Sequence, residues 1–399
     1  MVREIRQRFN ASFSNEKYEQ MIREIHAEFP EMLDFRVAES PVFVGRNLKA
    51  KVLTAFNDIV DQIRKPDFLT LTRRAIPDHL WVDHENPVPG CLAVDFAITR
   101  GENGEYEPQL IELQGFPSLF GYQSYLAGKF RKFFDTDRGY SEFFNRLNTM
   151  SYTQEMKKFL LGDSQPENTI LLEIYPEKQK TRLDFALTRK LWGIEPVCVT
   201  RIRNSGTGLY YEEGGKKITI ERIYNRLIMD DLERNFPDLK LEVDFNRASD
   251  VQWISHPNWF YRVSKFSLPL FKSKYIPESR YLSDFKELPA DLENYVLKPL
   301  FSFAGAGVII DVTPEDIAKI QDPENYLLQR KIAYEPCIED TRGDKIKCEI
   351  RLLAIWPDGA DRPRLVTNLA RLSRGKMIGV DFNKDFDWVG GSIGFYETN

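Results

Sequence analysis

The sequence predicts an α/β protein with more than one lobe. A strand–helix–strand pattern lies between residues 169 and 200, and a hairpin pattern lies between residues 91 and 113. A third segment, 295–311, reads YVLKPLFSFAGAGVIID, with two apolar runs on either side of a loop of small residues. The 399 residues favour two or three domains, and an apolar content of 42% is enough for a sizeable core.

The first predicted domain, 1–160, combines helices with a hairpin. Residues 14–29 and Lys49–Ile63 place apolar side chains at helical spacing, which predicts two amphipathic helices. The runs Cys91–Ile98 and Gln109–Leu113 are separated by the turn-rich sequence ITRGENGEYEP. These two runs therefore predict an antiparallel hairpin.

The second predicted domain, 161–260, has alternating strand and helix patterns. Strand–helix–strand units place parallel strands side by side, so the pattern predicts a Rossmann-like α/β subdomain. The predicted segments are a strand in NTILLEIYP, a helix over Thr181–Trp192, a strand over Glu195–Thr200, a strand over Ile218–Tyr224 and a helix over Arg226–Asn235.

The most informative segment of the third predicted domain, 261–399, is the small-residue loop. Lys298 ends the apolar run before it, the loop contains Ser302, Gly305 and Gly307, and a second apolar run follows. Glycines let backbone N–H groups approach phosphate oxygens closely, and a lysine on a strand supplies a point charge. The pattern favours a phosphate-binding lid over its alternative, an ordinary hairpin with a glycine turn.

Further strand patterns follow in the same domain. The run IKCEIRLLAIW alternates polar and apolar residues, with Glu349 and Arg351 on one face. Each of these two side chains, like Arg371 farther on, has an ordinary interpretation as an ion-pair partner. The predicted strands are Tyr326–Arg330, Ile346–Trp356 and Leu365–Leu372.

Two carboxylates lie inside apolar strands of the predicted hairpin. Asp95 is in the middle of LAVDFAI, and Glu112 shares a strand face with Gln114 in LIELQ. Burying uncompensated carboxylates is costly, so each needs a partner. One alternative is a salt bridge to a structural arginine. The other is Mg²⁺, for which oxygen ligands are suited, and like charges close together favour this second interpretation.

These residues together resemble the ATP-grasp superfamily. The resemblance rests on Lys265, on Lys298 with its glycine-rich loop, and on a strand at Tyr326–Arg330 that is similar to the hinge between the two ATP-binding lobes. It also includes the arginine-bearing strand EIRLLAIW and the segment from Arg371 to the glycine pair at 390–391. Taken alone, Lys265 would be an ordinary surface lysine.

The order of the motifs resembles the circularly permuted members of that superfamily. ATP-grasp enzymes without this permutation commonly place a metal-binding Glu-x-Asn pair just after the glycine pair, where this sequence has SIGFYETN. Asp95 and the Glu112-x-Gln114 pair instead match the arrangement of the glutathionylspermidine synthetase group, a likeness that extends from about Leu92 to the end. Two positions depart from the pattern: Gln114 replaces an asparagine, and Ala93 replaces an arginine directed at the transferred phosphate.

The resemblance implies an ATP- and Mg²⁺-dependent ligase that joins a carboxylate to an amine. The substrate carboxylate attacks the γ-phosphate, and an amine acceptor then displaces phosphate from the acyl phosphate. The resemblance assigns phosphates to Lys265, Lys298, Ser302, Gly305 and Gly307, adenine to Gln329, Lys331 and Ile332, Mg²⁺ to Asp95, Glu112 and Gln114, and charge neutralisation to Arg351 and Arg371.

Three other functions remain open from the sequence. The departures at Ala93 and Gln114 are compatible with a catalytically degenerate nucleotide-binding protein on the same fold. A small-molecule kinase would use the same ATP site but release a phosphorylated product without forming an amide. A protein-interaction domain would bind no nucleotide at all.

Composition narrows the partners. A net charge of -5 argues against a broad basic surface for nucleic acid. No apolar stretch reaches 18 residues and the first residues lack an apolar signal segment, so neither a membrane span nor a signal peptide is expected. Four scattered cysteines fit a reducing compartment, which predicts a cytoplasmic protein.

Overall fold

Helices and sheets are mixed along the chain, as predicted. The computed structural model describes residues 1–301, 307–375, 383 and 386–398. Within them, no helix is both long enough and apolar enough to cross a membrane. The helices are α1 (Arg3–Ser12), α2 (Asn15–Glu28), α3 (Arg46–Ile63), α4 (Phe68–Leu71), α5 (Phe120–Phe133), α6 (Thr149–Leu161), α7 (Arg182–Trp192), α8 (Met229–Asn235), α9 (Pro257–Arg262) and α10 (Pro314–Ala318).

The described strands form several separate sheets. The strands are β1 (Val42–Val44), β2 (Gly90–Arg100), β3 (Tyr106–Gln114), β4 (Tyr140–Ser141), β5 (Thr169–Glu173), β6 (Glu195–Cys198), β7 (Arg203–Ser205), β8 (Gly208–Glu213), β9 (Lys216–Ile220), β10 (Arg222–Asn225), β11 (Gln252–Ile254), β12 (Ser279–Tyr281), β13 (Tyr295–Pro299), β14 (Tyr326–Arg330), β15 (Ile338–Glu339), β16 (Lys345–Trp356), β17 (Arg364–Ser373), β18 (Gly390–Ser392) and β19 (Gly394–Glu397).

The largest sheet joins the two ends of the sequence. Its strand order is β18–β17–β16–β2–β3, with β15 beside β16, and every pairing is antiparallel. The predicted hairpin is confirmed as β2 and β3, with Asp95 opposite Glu112 and Ala93 opposite Gln114. A second sheet, in the order β1–β19–β4, also combines early and late strands. The domain boundaries at 160 and 260 stay a prediction.

The two faces of the large sheet differ in character. On β2, Val94 and Phe96 are buried in the main hydrophobic core together with side chains of α2 and α3. The alternate residue Ala93 packs into a second apolar cluster that includes side chains of α6 and α7. Farther along that same face the side chains become charged, beginning with Asp95. The candidate site lies where this face of the sheet changes from apolar to charged.

The predicted Rossmann-like region contains a parallel sheet in the order β11–β10–β5–β6. The helix α7 connects β5 to β6, and these strands are parallel, so the strand–helix–strand prediction is confirmed. The single strand expected over 218–224 is wrong, because β9 and β10 belong to different sheets. The break is at Glu221, whose N–H donates to the Asn168 carbonyl and whose carbonyl accepts from the Gln252 N–H.

The helix expected from Arg226 begins only at Met229. Arg226 is buried immediately after β10, and its N–H donates to the Leu172 carbonyl of the neighbouring strand at 2.9 Å. The backbone at this position therefore continues sheet pairing instead of starting a helix.

A small antiparallel sheet, in the order β12–β14–β13, has its own apolar core. The strand predicted after the small-residue loop is reduced to one bridge, in which Leu297 and Ile309 exchange two backbone hydrogen bonds of 2.9 and 3.0 Å. The predicted phosphate-loop residues Ser302 and Gly305 lie outside the described residues. After β14, residues 331–337 run without regular structure to β15, so this extended segment connects the small sheet to the large one.

Gly390, in the glycine pair of β18, is the glycine most tightly constrained by the fold. Its φ is +120°, and a Cβ at this position would lie 2.4 Å from the Arg36 carbonyl oxygen. We expect Gly390→Ala to lower the free energy of unfolding by about 3 kcal/mol or more, because left-handed strain and backbone overlap add together.

A matched control is Gly104→Ala. Gly104 also has a positive φ, of +76°, but nothing lies within 4 Å of the added Cβ. Strain alone then predicts a decrease of about 1 kcal/mol in the free energy of unfolding, measured by urea denaturation. An equal decrease in the free energy of unfolding of the two variants would contradict the close approach of β18 to Arg36.

Candidate functional site

Opposite charges face each other across three strands of the large sheet. In the strand register, Arg351 of β16 is opposite Asp95 of β2, and Glu349 of β16 is opposite Arg371 of β17. Residues directly across neighbouring strands point to the same face. The alternation of β16, which was visible in the sequence, therefore brings two acids and two arginines into one row.

Asp95 is fully engaged by the two arginines. Arg351 donates from Nε at 2.5 Å and from Nη2 at 2.6 Å, and Arg371 donates from Nη2 at 2.5 Å. Only 2% of Asp95 is exposed. Burial alone would raise the pKa of Asp95, but the two guanidinium groups outweigh it and hold the pKa below its usual value. The compensating charge at Asp95 thus comes from arginine, the alternative to a metal ion.

Glu112 and Gln114 have a different environment from Asp95. Both side chains are partly exposed at the end of β3, and within the described part of the chain neither has a hydrogen bond or an ion pair. The described residues also contain no group of three His, Cys, Asp or Glu side chains arranged to hold a metal ion. The predicted Mg²⁺ site therefore stays a prediction, with Glu112 and Gln114 as its accessible oxygen donors.

Lys298 lies at the end of β13, where its Nζ donates to the Gln329 side-chain oxygen at 2.5 Å. Gln329 is buried in the middle of β14, and its amide in turn donates to the Ser279 hydroxyl at 3.0 Å. Burial lowers the pKa of Lys298 to about 8, and the nearby Glu112 opposes this shift only in part. Lys298 is thus a desolvated cation held by a neutral side chain.

Lys265 reaches the same region from another segment. It starts the 3₁₀ helix Lys265–Leu270, and it is buried. The Gly115 N–H donates to the Val263 carbonyl at 3.1 Å, which ties the end of β3 to this segment. Burial lowers the pKa of Lys265, while the charge of Glu112 opposes the shift. Both predicted phosphate lysines therefore lie within electrostatic range of the same carboxylate.

Two of the predicted adenine-binding residues, Lys331 and Ile332, lie on the segment between the two sheets, whereas the third, Gln329, is in β14. The Lys331 N–H donates to the Asn294 carbonyl at 2.8 Å, and its Nζ is 3.1 Å from Asp311. No described residue accepts a hydrogen bond from the backbone N–H of Ile332 or Ala333. An adenine edge needs one such N–H donor, for a ring nitrogen, and one carbonyl acceptor for its amino group. The side chain of Gln329, by contrast, is committed to Lys298.

Glu349 in the charged row and Tyr334 beside it were not predicted as site residues. The Tyr334 hydroxyl donates to Glu349 at 2.5 Å, and Glu349 also pairs with Arg371 at 3.1 Å. Burial raises the pKa of Glu349, and Arg371 offsets part of that increase. The alternation of β16 already placed Glu349 beside Arg351, but no sequence signal marked Tyr334.

Ser118 connects the charged row to a deeper polar region. Its hydroxyl accepts from Arg351 at 3.2 Å, and its carbonyl accepts from the buried Arg226 at 2.9 Å. Arg226 in turn lies 3.8 Å from the Asp184 carboxylate of α7. The bridge that Ser118 forms between two arginines depends on contacts between distant segments and is visible only in the fold.

The deeper region has many polar atoms that lack partners. It lies beyond the carboxyl ends of β5 and β10, the edge at which open α/β sheets commonly bind ligands. Burial raises the pKa of Asp184 to about 6 and that of Glu173, at the end of β5, to about 7. In this region, buried side-chain atoms without a hydrogen-bond partner among the described residues include Asp184 Oδ2, Tyr224 Oη, Asn225 Nδ2 and Arg226 Nε. Such atoms need water or a ligand as partners.

Comparison with solved structures shows a likeness in fold. The fold is similar to that of a glutathione synthetase-like effector from Globodera pallida, solved in its apo form, with a TM-score of 0.60. The likeness covers 100% of this chain and 99% of that one, at 10% sequence identity, so it concerns the fold alone. No protein-family model matches the sequence, and no curated protein matches it either.

Asp95→Asn tests the pairing in the charged row. Removing the charge of Asp95 leaves the partly buried Arg351 without a counter-charge and leaves Arg371 with Glu349 alone, so we expect the free energy of unfolding to fall by about 3 kcal/mol. Glu112→Gln is the matched control, because Glu112 has no described hydrogen bond or ion pair and a loss below about 1 kcal/mol is expected. Urea unfolding at pH 7 measures both, and a small loss for Asp95→Asn would contradict the pairing.

The lowered pKa of Lys298 has a defined effect on stability. The unfolded chain binds this proton with a pKa near 10.5 and the folded chain with a pKa of about 8. The unfolded state therefore holds more protons between these values, and stability relative to Lys298→Met should rise with pH across that window. We expect a rise of about 2 kcal/mol between pH 7.5 and 10 in urea unfolding. A pH-independent difference would show that Lys298 is not desolvated.

Proposed function

We propose that this protein is an ATP- and Mg²⁺-dependent carboxylate–amine ligase with a circularly permuted ATP-grasp fold. The observation that carries the proposal is the convergence of cations from two sheets on one accessible carboxylate. Burial lowers the pKa of Lys298 and Lys265, and Glu112 opposes both shifts; Glu112 also contributes, after Glu349 and Asp95, to the raised pKa of Arg371. The likeness in fold to a glutathione synthetase-like effector agrees with this proposal.

The balance of charge favours a polyanionic ligand. Lys265 and Lys298 are both desolvated, and among described residues Lys298 has only a neutral hydrogen-bond partner. Phosphate oxygens would restore the solvation that burial removes and would stabilise both ammonium groups. The backbone N–H of Ile332, which has no acceptor among the described residues, would serve a ring nitrogen of the adenine, and a carbonyl of the same segment would accept from its amino group.

Glu112 and Gln114 fit a magnesium ion that is shared with the nucleotide. Mg²⁺ commonly takes one or two protein oxygens and completes its octahedron with phosphates and water. Both side chains are partly exposed, and neither is committed to a described partner. Asp95 differs, since both of its oxygens accept from arginine. In the proposed site Asp95 therefore orients Arg351 and Arg371, and it becomes a metal ligand only if those pairs open.

The residues of this chain would act by positioning and by neutralising charge. Arg351 and Arg371 carry positive charge beside the metal donors, where the γ-phosphate would be transferred to the substrate carboxylate. The resulting acyl phosphate would then react with the amine, releasing phosphate and forming the amide. No side-chain nucleophile is required, because binding both substrates in line supplies most of the rate.

The polar region beyond Ser118 is the proposed entrance for the carboxylate substrate. Arg226 provides a buried cation, and Asp184 and Glu173 provide carboxylates whose pKa values burial raises. Groups of both signs suit a substrate that carries both a carboxylate and an ammonium group. The contact of Ser118 with Arg351 connects this region directly to the proposed site of phosphoryl transfer.

A second candidate is a nucleotide-binding protein that has lost catalysis. The specific observation in its favour is that both oxygens of Asp95 are engaged by arginine. Ala93, which faces Gln114 across the hairpin, offers no charge where the permuted ligases place an arginine. This candidate predicts nucleotide binding without turnover.

The proposal predicts Mg²⁺-dependent ATP binding that depends on Lys298. We expect Lys298→Ala to weaken ATP binding at least about tenfold in isothermal titration, since it removes a desolvated cation from the phosphates. The matched control is Lys319→Ala, because Lys319 is in the same lobe with its side chain 76% exposed. In Glu112→Ala, added Mg²⁺ should no longer strengthen ATP binding.

The outcomes separate the candidate functions. ATP binding that is absent in the wild type, or unaffected by Lys298→Ala, overturns the proposal. Binding with ADP release and an amide product supports the ligase, whereas binding without turnover across carboxylate and amine pairs supports the degenerate protein. A stable phosphorylated product without an amide, detected by mass spectrometry, would identify a small-molecule kinase.

A further inference from the structure

A second concave region lies beside α3, apart from the charged row. It encloses a cavity of about 990 Å³, which is at the upper end of the range for small-molecule sites. We call it the α3 groove, defined by Lys49, Leu53, Phe56, Phe144, Arg146 and Leu365.

The α3 groove is separate from the candidate functional site. The buried face of α3, including Val52 and Ile59, packs in the same core as Val94, whereas Asp95 is on the opposite face of the large sheet. Along β17, Leu365 and Arg371 are six positions apart, roughly 20 Å at the usual rise of a strand. A molecule in the groove would therefore not occupy the proposed ATP site.

The groove combines an apolar floor with a basic rim. Phe56, Phe144 and Leu365 are buried side chains that form its floor. The described residues that line it include three cations and no Asp or Glu side chain. Two of these cations have partners, since Arg46 pairs with Glu397 at 3.3 Å and Lys49 Nζ donates to the Glu397 carbonyl at 2.8 Å.

Arg146 is the lining cation without a hydrogen bond or an ion pair among the described residues. It follows Asn145, and both residues have left-handed backbone, with φ values of 53° and 61°. Consecutive left-handed non-glycine residues are strained, and the surrounding structure must hold them. The Asn145 side chain does so by donating to the Leu365 carbonyl at 2.8 Å. The turn thus holds the backbone of Arg146 at the edge of the groove, and its exposed side chain has no partner among the described residues.

We propose that the α3 groove binds a small organic anion with an apolar body, such as an aromatic or aliphatic carboxylate or sulfonate. The apolar body would cover Phe56 and Leu365, and the anionic group would pair with Arg146. This site is additional to the proposed nucleotide site and does not depend on it.

The test uses anilinonaphthalene sulfonate as the probe and phenylnaphthylamine as its uncharged analogue. Binding to the full chain is followed by fluorescence titration. We expect Arg146→Gln to weaken sulfonate binding roughly three- to tenfold and to leave the neutral analogue unchanged. Ala50→Trp should abolish binding of both, because an indole added at this exposed lining residue fills the groove.

The control is Arg247→Gln, which removes an exposed arginine beside the parallel sheet. This substitution should leave the affinities for both probes unchanged. Circular dichroism confirms that each variant is folded. Absence of binding in the wild type overturns the proposal, and so does binding that persists in Ala50→Trp. If Lys298→Gln loses sulfonate binding and Ala50→Trp does not, the probe binds near Lys298 and not in the α3 groove. That result would equally overturn the proposal.

Discussion

The pairing of Asp95 with Arg351 and Arg371 is the interaction on which the centre of the structure depends. It joins β2 to β16 and β17, strands that are more than 250 positions apart in sequence. A buried ion network of this kind contributes little net stability compared with an apolar core, but it is costly to break. Its presence on the one face of the sheet that changes from apolar to charged indicates a role beyond folding.

The sequence could predict the strands but not which charges would pair. Alternation identified β16 and the hairpin of β2 and β3, because a period of two is a local property. The register that places Arg351 opposite Asp95 depends on a contact between distant strands, which one sequence does not encode in any local pattern. The like-charge argument favoured Mg²⁺ beside Asp95, whereas the described partners of Asp95 are two arginines, the alternative that the sequence left open.

Other parts of the site depend on tertiary context that has no sequence signature. Tyr334 lies in a segment without regular structure, and its contact with Glu349 exists only because that segment passes from the small sheet to the large one. Arg226 looked like a helical residue, yet it extends the sheet pairing of β10 and becomes a buried cation. In both cases a long-range contact overrides the local pattern.

In the proposed site, the small sheet would keep the charge of Lys298 available for a ligand. A buried lysine is usually neutralised by a carboxylate, whose removal would then be required before a phosphate could bind. Lys298 instead donates to the neutral amide oxygen of Gln329, which solvates the ammonium without cancelling its charge. The amide oxygen does not replace all the solvation that burial removes, so the pKa of Lys298 is lowered to about 8. In the proposed site an incoming phosphate would restore this lost solvation, so the desolvation of Lys298 would contribute to the binding free energy.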